Sequence, residues 1–192
     1  MIKKVIDISH WNGELDFAKI KSDGIDGIYI KCTDGVSFVD PMCLKYATGA
    51  KAQGIAVGYY HFAEPGIDPI TQAIFFKGRL STLPQSDLMP VLDIEKDTTV
   101  NVQDWINKFY DAFVEPLMLY SYQPYLDLHN VSVDCPLWLA QYRDETSPVL
   151  PKGWPTCDLW QYSNVGVEDG ITVKVDEDRV FTQAFVLNNQ TA

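Results

Sequence analysis

Short apolar runs alternate with amphipathic stretches from the first residues of the chain to about residue 113. Runs of four to eight apolar residues are typical of buried strands, whereas apolar positions three and four apart are typical of helices. The predicted strands of this part are Val5–Ile8, Gly27–Lys31, Ile55–Tyr60 and Met89–Ile94. The predicted helices are Leu15–Ile20, Pro41–Gln53, Ile70–Leu83 and Val102–Phe113, with Asp40 and Asp68 as N-caps of the second and third.

In the rest of the chain the apolar runs follow one another more closely, and too little sequence separates them for full crossover helices. Its predicted elements are the strands Leu117–Tyr120, Leu137–Ala140, Asp158–Gln161 and Ile171–Val175 and a helical turn over Pro124–Leu128. Strand–helix alternation indicates a parallel sheet with right-handed crossovers. Eight strands and about five helices therefore predict an α/β fold, an irregular TIM-like barrel. We expect one catalytic domain over residues 1–192, with its core at about residues 3–185 and no separate wall-binding domain.

Composition and charge narrow the choice of partners. The chain has 192 residues, of which 46% are hydrophobic, and this fits a single folded domain. A net charge of −11 without a basic stripe argues against DNA or RNA as a partner. No apolar run reaches the ~18 residues of a membrane span, and Asp7 arrives before any secretory signal could form. We therefore expect a monomer without a membrane span, made without a signal peptide.

Cysteine and histidine spacing gives no sign of a metal or a cofactor. The four cysteines form no CxxC pair, so we interpret them as mostly buried free thiols, with one disulfide left open as the alternative. His10 and His61 could form a metal site with Asp7, but no HExxH or similar spacing supports one. The chain also lacks the GxSxG turn of a serine hydrolase. We predict neither a metal nor a cofactor.

The strongest chemical signal is a pair of acids at a predicted strand end, Asp93 and Glu95, which follow the apolar residues Val91 and Leu92. Active sites of parallel barrels lie at the carboxyl ends of the strands, and residues two apart face the same side. Two close carboxyl groups disfavour double ionisation, so one keeps its proton at higher pH. A glycosidase needs such a proton donor beside a charged carboxylate. The alternative is a solvated acidic pair beside a loop.

Two further acids are predicted at strand ends. Asp7 ends the first strand and Asp176 follows the last one, although either could instead cap a turn. Glu177 and Asp178 extend the second acid into a charge run, which is usually a solvated face. Trp11 and Tyr162 lie among the aromatic residues near strand ends, where rings can stack on sugars or simply pack. The predicted substrate-binding residues are Tyr60, Tyr120, Trp138, Tyr142 and Gln161.

Four segments together resemble the Chalaropsis-type lysozymes, glycoside hydrolase family 25, over about residues 3–185. They stand in the order and spacing of that family and are Asp7–Gly13, Gly58–Ala63, Leu92–Glu95 and Leu159–Ser163. The resemblance implies an irregular barrel of eight strands and five helices. It also implies cleavage of the β-1,4 bond between N-acetylmuramic acid and N-acetylglucosamine in bacterial peptidoglycan.

The resemblance assigns roles to the acids at the strand ends. Glu95 would be the general acid, and Asp93 would stabilise the transition state or position an N-acetyl group. Asp7 and Asp176 would complete a ring of carboxylates, with Tyr60 nearby. The chain departs from the family after Asp176, because the sequence continues Glu-Asp-Arg where the family usually has an Asn-containing segment.

The biological setting that the resemblance implies is phage-induced lysis. A phage enzyme of this kind, called an endolysin, is made in the host cytoplasm and acts on the cell wall after release.

Two alternative functions remain. A chitinase-like glycosidase also carries an acidic pair at a strand end, but usually within a longer DxxDxDxE run that Asp87–Val91 does not supply. A non-catalytic carbohydrate-binding protein would keep the aromatic residues and would need no paired acids.

Overall fold

A closed barrel organises the part of the chain that the computed structural model describes, residues 1–143 and 145–187. Its strands are β1 Lys4–Ile8, β2 Gly27–Asp34, β3 Phe38–Val39, β4 Ala56–Phe62, β5 Val91–Asp93, β6 Met118–Tyr122, β7 Leu137–Ala140, β8 Leu159–Gly166 and β9 Val175–Val180. Its helices are α1 Phe17–Ser22, α2 Cys43–Ala52, α3 Pro69–Leu80, α4 Val102–Phe113 and α5 Gln123–Leu128, and a 3₁₀ turn covers His10–Asn12.

Eight strands close the barrel in the order β1, β9, β8, β7, β6, β5, β4, β2, and β2 pairs with β1 to complete the circle. The predicted eight-stranded α/β barrel is confirmed, and the two-residue β3 is an antiparallel addition beside β2. The prediction of a wholly parallel sheet is wrong for β9, which runs antiparallel to both β8 and β1. Only residues 167–174 connect β8 to β9, which is too short for a crossover helix, so the chain returns as a hairpin.

The last strand also lies later in the sequence than the predicted Ile171–Val175. The apolar start of that segment is instead a loop that packs on α1, where the backbone N–H of Asp16 donates to Gly170 O at 3.0 Å. The strand itself, Val175–Val180, is rich in charged residues. A strand with this composition is not predicted from hydrophobicity, because four of its six residues are charged.

Alternation along the strands separates an inner core from an outer one. On β1, Val5 belongs to the cluster inside the barrel, whereas Ile6 and Ile8 belong to the cluster between the sheet and the helices. The Tyr29 ring fills much of the interior, and a Cβ at Gly58 would lie 2.2 Å from it, so this position requires glycine. The barrel is therefore a packed core below its mouth and has no open channel.

Two local predictions at helix starts have different outcomes. Asp68 caps α3 as predicted, since its carboxylate accepts a 2.8 Å bond from Thr71 N. The prediction that Asp40 caps a helix beginning at Pro41 is wrong, because α2 begins at Cys43. The Asp40 carboxylate is buried and accepts bonds from the backbone N–H of His10 and of Met42. It therefore ties the turn after β1 to the start of α2.

The cysteines are free thiols, as expected, and the alternative of a disulfide is not realised. Three are buried, and Cys135 is partly exposed. Within the described ranges, none of the helices has the length and apolar character that a bilayer crossing requires.

Candidate active site

A cavity of about 260 Å³ opens at the carboxyl ends of the parallel strands. It brings together all nine predicted site residues, which are Asp7, Asp93, Glu95, Asp176, Tyr60, Tyr120, Trp138, Tyr142 and Gln161. The lining also includes residues that were not predicted as site residues, namely Ser9, Trp11, Lys31 and Phe62. The predicted acids and aromatic residues therefore share one hollow, at the end of the barrel where the fold leads us to expect a site.

The acidic pair is held in place by bonds that continue beyond the end of β5. Asp93 is the last residue of the strand, and its carbonyl accepts a 2.8 Å bond from Ala63 N. Ile94 N donates to Tyr120 O at 3.1 Å, and the Ser121 hydroxyl donates to Ile94 O at 2.6 Å. The backbone therefore stays fixed between two neighbouring strands, and both Asp93 and Glu95 line the cavity.

Burial and neighbouring negative charge favour the protonated forms of Asp93 and Glu95. Asp93 is 6% exposed, and burial raises its pKa well above the usual aspartate value, with the Glu95 charge adding to the effect. Burial also raises the pKa of Glu95, with Asp176 as the next cause. The Lys31 charge lowers both pKa values. Double ionisation of the pair is thus disfavoured, mainly because both carboxyl groups are withdrawn from water.

A hydrogen-bond network fixes the opposite side of the cavity. The amide of Gln161 donates to Asp7 Oδ2 at 2.8 Å, and its carbonyl oxygen accepts bonds of 2.9 Å from the hydroxyls of Tyr120 and Tyr142. One buried amide on β8 thereby orients a carboxyl group and two aromatic rings that come from three other segments. Burial raises the pKa of Asp7 well above its usual value, and the charge of Asp176 is the next largest cause of this increase. The pKa of Asp176 itself is raised to about 6 by burial.

Lys31 is the sole cation among the described residues that line the cavity. Its Nζ lies 3.0 Å from Asp34 Oδ2 and 4.5 Å from the centroid of the Phe62 ring. Lys31 lies two residues after Tyr29 on β2, so alternation places it on the same inward face, where it reaches the cavity. It is absent from the predicted site residues because the prediction favoured acidic and aromatic residues at the strand ends.

Asp178 corrects the interpretation of the acidic run as a solvated face. Its side chain is 2% exposed inside the barrel, where the Trp138 indole N–H donates to Oδ1 at 2.6 Å. Its Oδ2 has no hydrogen-bond partner among the described residues. Burial raises the pKa of Asp178 well above its usual value, and the charge of Asp7 adds to this. Because β9 is a strand, Asp176 and Asp178 share its inward face, one at the cavity and one below it.

The variant Asp178→Asn is expected to be more stable than the parent at pH 7. The folded state holds the Asp178 proton more tightly than the unfolded chain does, so its contribution to the free energy of unfolding is lost as pH rises through the raised pKa. Asparagine keeps an oxygen for the Trp138 N–H and never ionises. We expect a gain of about 1–3 kcal/mol at pH 7, the usual desolvation penalty of a buried polar group, and a smaller gain at pH 4.

Chemical denaturation of both proteins at the two pH values measures this effect. Other buried acids titrate in both proteins, so the difference between them isolates Asp178. An equal gain at both pH values, or a loss at pH 7, would contradict the assignment of a neutral carboxyl group at this position.

Both histidines of the predicted metal alternative are engaged elsewhere. His61 is buried, with Nδ1 2.8 Å from Thr33 Oγ1 and Nε2 3.1 Å from Gln72 Oε1, and burial lowers its pKa to about 4. His10 Nδ1 lies 2.8 Å from Asp40 Oδ2. Across residues 1–143 and 145–187, no three His, Cys, Asp or Glu side chains are grouped as metal ligands.

A barrel whose mouth holds paired acids among aromatic side chains is the arrangement of a glycoside hydrolase. The sequence model of the family described as "Glycosyl hydrolases family 25" matches residues 6–171. The chain therefore belongs to glycosyl hydrolase family 25.

Relatives and solved structures agree with this membership. Lysozyme M1 of Streptomyces globisporus is 30% identical, with 97% of this chain and 71% of that protein covered. The lysozyme of Streptococcus phage Cp-9 is 28% identical, with 93% of this chain covered. This chain spans 57% of the length of that phage protein. The crystal structure of the bacterial lysozyme from Streptomyces coelicolor covers 100% of this chain and 99% of its own, with a TM-score of 0.85 and 26% identity.

Proposed function

We propose that this protein is a lysozyme, an N-acetylmuramidase that hydrolyses the β-1,4 bond between N-acetylmuramic acid and N-acetylglucosamine in bacterial peptidoglycan. The observation that carries the proposal is the convergence of Asp93 and Glu95 in one cavity, with Asp7 and Asp176 beside them. The family and the relatives named lysozymes support the choice of substrate.

Glu95 is the general acid in this proposal. It is the more exposed member of the pair, so a glycosidic oxygen can reach it, and its raised pKa favours the protonated form. Glu95 donates its proton to the leaving sugar oxygen as the bond to the anomeric carbon breaks. Water then adds to that carbon and returns a proton to the same carboxylate.

The other carboxyl groups stabilise and orient the sugar at the cleaved bond. Asp93 lines the cavity and is 6% exposed, so its carboxyl group faces an N-acetyl group of the bound substrate in this proposal. Asp176, with a pKa of about 6, is negatively charged at neutral pH and faces the positive charge that develops on the sugar ring. Asp7, fixed by Gln161, lies beside it and orients the sugar. Negative charge in a site of low dielectric constant stabilises such a transition state more strongly than it would in water.

The aromatic residues of the cavity have two kinds of role in this proposal. Tyr142 is exposed enough to contact a sugar directly, and Tyr60 supplies a ring and a hydroxyl inside the cavity. Trp138 and Gln161 are buried, and their polar groups are engaged by Asp178 and by the network around Asp7. They therefore act mainly by holding the cavity in shape.

Removal of charges near Glu95 is expected to shift the pH profile in opposite directions. The Asp176 charge raises the pKa of Glu95 and the Lys31 charge lowers it. Activity falls as pH rises through this pKa, because the acid loses its proton. Asp176→Asn should therefore move the alkaline limb of kcat/KM to lower pH, and Lys31→Met should move it to higher pH. Rates measured across the pH range check both; shifts of the same sign would contradict the role of Glu95.

Comparison of substrates separates this proposal from the two alternatives. We expect suspensions of bacterial cell wall to clear and chitin to remain intact. Cleavage of chitin at a similar rate would favour the chitinase-like alternative. Retention of the protein on cell walls without any release of sugar would favour a non-catalytic carbohydrate-binding protein.

The setting proposed for this activity is phage-induced lysis, with synthesis in the host cytoplasm and action on the wall after release. The phage relative supports this setting. We further propose that the barrel acts as one catalytic domain and as a monomer, because its cavity is built within one chain. A sedimentation experiment that gave a dimer mass would contradict the monomer.

A further inference from the structure

Trp11 is unusual among the tryptophans of this protein because it is 80% exposed. The other four are buried, namely Trp105, Trp138, Trp154 and Trp160. Single exposed apolar residues are common and need no explanation. Trp11, however, lines the same cavity as Asp7 and Glu95, so its exposed ring lies at the rim of the candidate active site.

The turn that carries Trp11 is held firmly. Asn12 N donates to Ser9 O, and Ser9 N donates back to the Asn12 side-chain oxygen, both at 2.9 Å. The His10 backbone N–H donates to Asp40 Oδ2 at 3.0 Å, and its ring nitrogen lies 2.8 Å from the same oxygen. Because that carboxylate is buried, the turn is anchored to the body of the barrel. The indole is thus fixed on a rigid base before any ligand arrives.

Two further rings support the indole. The His10 ring lies 4.5 Å from the Trp11 ring, centroid to centroid, and the Phe38 ring lies 5.6 Å from the His10 ring. We call Trp11, His10 and Phe38 the aromatic rim. Phe38 is also within 5.8 Å of the Lys31 Nζ, so the rim is continuous with the lining of the cavity.

The rim lies across the mouth from the aromatic residues of the other wall. Its residues His10 and Trp11 follow β1, whereas Tyr142 follows β7, three strands around the barrel. A glycan strand that places its cleaved bond at Glu95 can extend from Tyr142 towards the rim. A flat, rigid and uncharged ring suits the apolar face of a pyranose, and prior rigidity lowers the entropic cost of binding.

We propose that Trp11, backed by His10 and Phe38, is a stacking platform for a pyranose ring of the glycan strand, beyond the two sugars at the cleaved bond. This inference rests on the proposed function, since it takes the glycan as the substrate of the adjacent cavity. It adds a binding site outside the carboxylate ring, and it gives the enzyme a preference for long strands over short ones.

Tryptophan fluorescence tests the platform without relying on catalysis. The measurement uses the Glu95→Gln background, so that strands are not cut, with peptide-free glycan strands from peptidoglycan as the probe. Acrylamide, a neutral quencher, reaches Trp11 and not the four buried tryptophans. We expect the strands to protect the fluorescence from acrylamide and to shift the emission to shorter wavelength. With Trp11→Phe in the same background, strands should bind and the protection should be absent.

Binding and kinetics complete the test. Trp11→Ala should weaken strand binding about tenfold, equivalent to ~1.4 kcal/mol, and raise KM for long strands with little change in kcat. The effect should shrink as the strands become shorter. Ile74→Ala, which trims another exposed apolar side chain on α3 outside the cavity, should change nothing.

Several outcomes would overturn the platform. The platform would be ruled out if glycan strands bound without protecting Trp11 from acrylamide. It would also be ruled out if Trp11→Ala weakened the binding of long and short glycan strands equally. Protection by free stem peptide in place of glycan would assign the rim to another ligand. Failure of the proposed function would be visible separately, as an absence of wall cleavage by the unmodified protein.

Discussion

Glu95→Gln is expected to abolish clearing of bacterial cell walls and to leave the fold intact. Glutamine has nearly the same shape, but it cannot donate a proton to the leaving oxygen. General acid catalysis contributes roughly 10²–10⁴-fold, so the loss in kcat should fall in that range. The change removes a carboxyl group whose pKa is raised by burial, so we expect no loss of thermal stability. Turbidity assays and thermal unfolding of the same preparation measure both quantities.

Glu115→Gln is the matched control for this variant. Glu115 is an exposed glutamate that pairs with Lys77 at 3.1 Å, outside the cavity. The same chemical change there should leave activity unaltered. Activity of Glu95→Gln within a factor of a few of the parent would remove Glu95 from the role of general acid.

Asp93→Asn should lose about 10²–10³-fold in kcat, the usual effect of removing one stabilising group from a preorganised site. Unlike most losses of function, this one should come with equal or greater stability at pH 7. Burial raises the pKa of Asp93 well above its usual value, so ionising it costs free energy in the folded state, and asparagine avoids that cost. A trade of stability for activity is common in functional sites.

Paired measurements of kcat and of the unfolding midpoint across pH check this variant. The stability advantage over the parent should grow as pH rises, because only the parent has a carboxyl group to ionise at position 93. Full activity in Asp93→Asn would mean that the charge of this residue does not act in the reaction. A marked loss of stability would mean that its carboxylate supports the fold.

The parts of the fold that depend on local patterns were predictable from the sequence. Helix α4 and strand β7 occupy their predicted residues, Val102–Phe113 and Leu137–Ala140, because their apolar spacing and flanking polar residues agree. Asp93 and Glu95 were predicted to share one cavity because Val91 and Leu92 mark a buried strand ahead of them. The cavity contains both acids.

The parts that depend on closure of the barrel were not predictable in the same way. Asp176 was placed after the wrong strand, although it does reach the cavity, because β9 is polar and pairs with β1 only once the barrel closes. Asp178 was interpreted as solvated, since neighbouring charges on one strand look alike in sequence but face opposite sides. Lys31 faces the cavity by simple alternation from Tyr29, but a single lysine at a strand end gives no chemical signal of its own.

A binding role for Trp11 could not be predicted from the sequence for a different reason. Its position near a strand end was evident from the sequence, but packing and binding were equally good explanations of an aromatic residue there. The discriminating fact is its exposure on an anchored turn, which depends on the buried contact between His10 and Asp40. That contact joins residues far apart in sequence, so no local pattern contains it.

We expect Glu95 to direct cleavage of peptidoglycan to the muramic acid side of the β-1,4 bond. The most direct test is the identity of the new reducing ends in a digest of purified peptidoglycan, labelled by borohydride reduction. The account predicts reduced N-acetylmuramic acid from the unmodified protein and none above background from Glu95→Gln. New N-acetylglucosamine ends, or released peptides without new sugar ends, would contradict it.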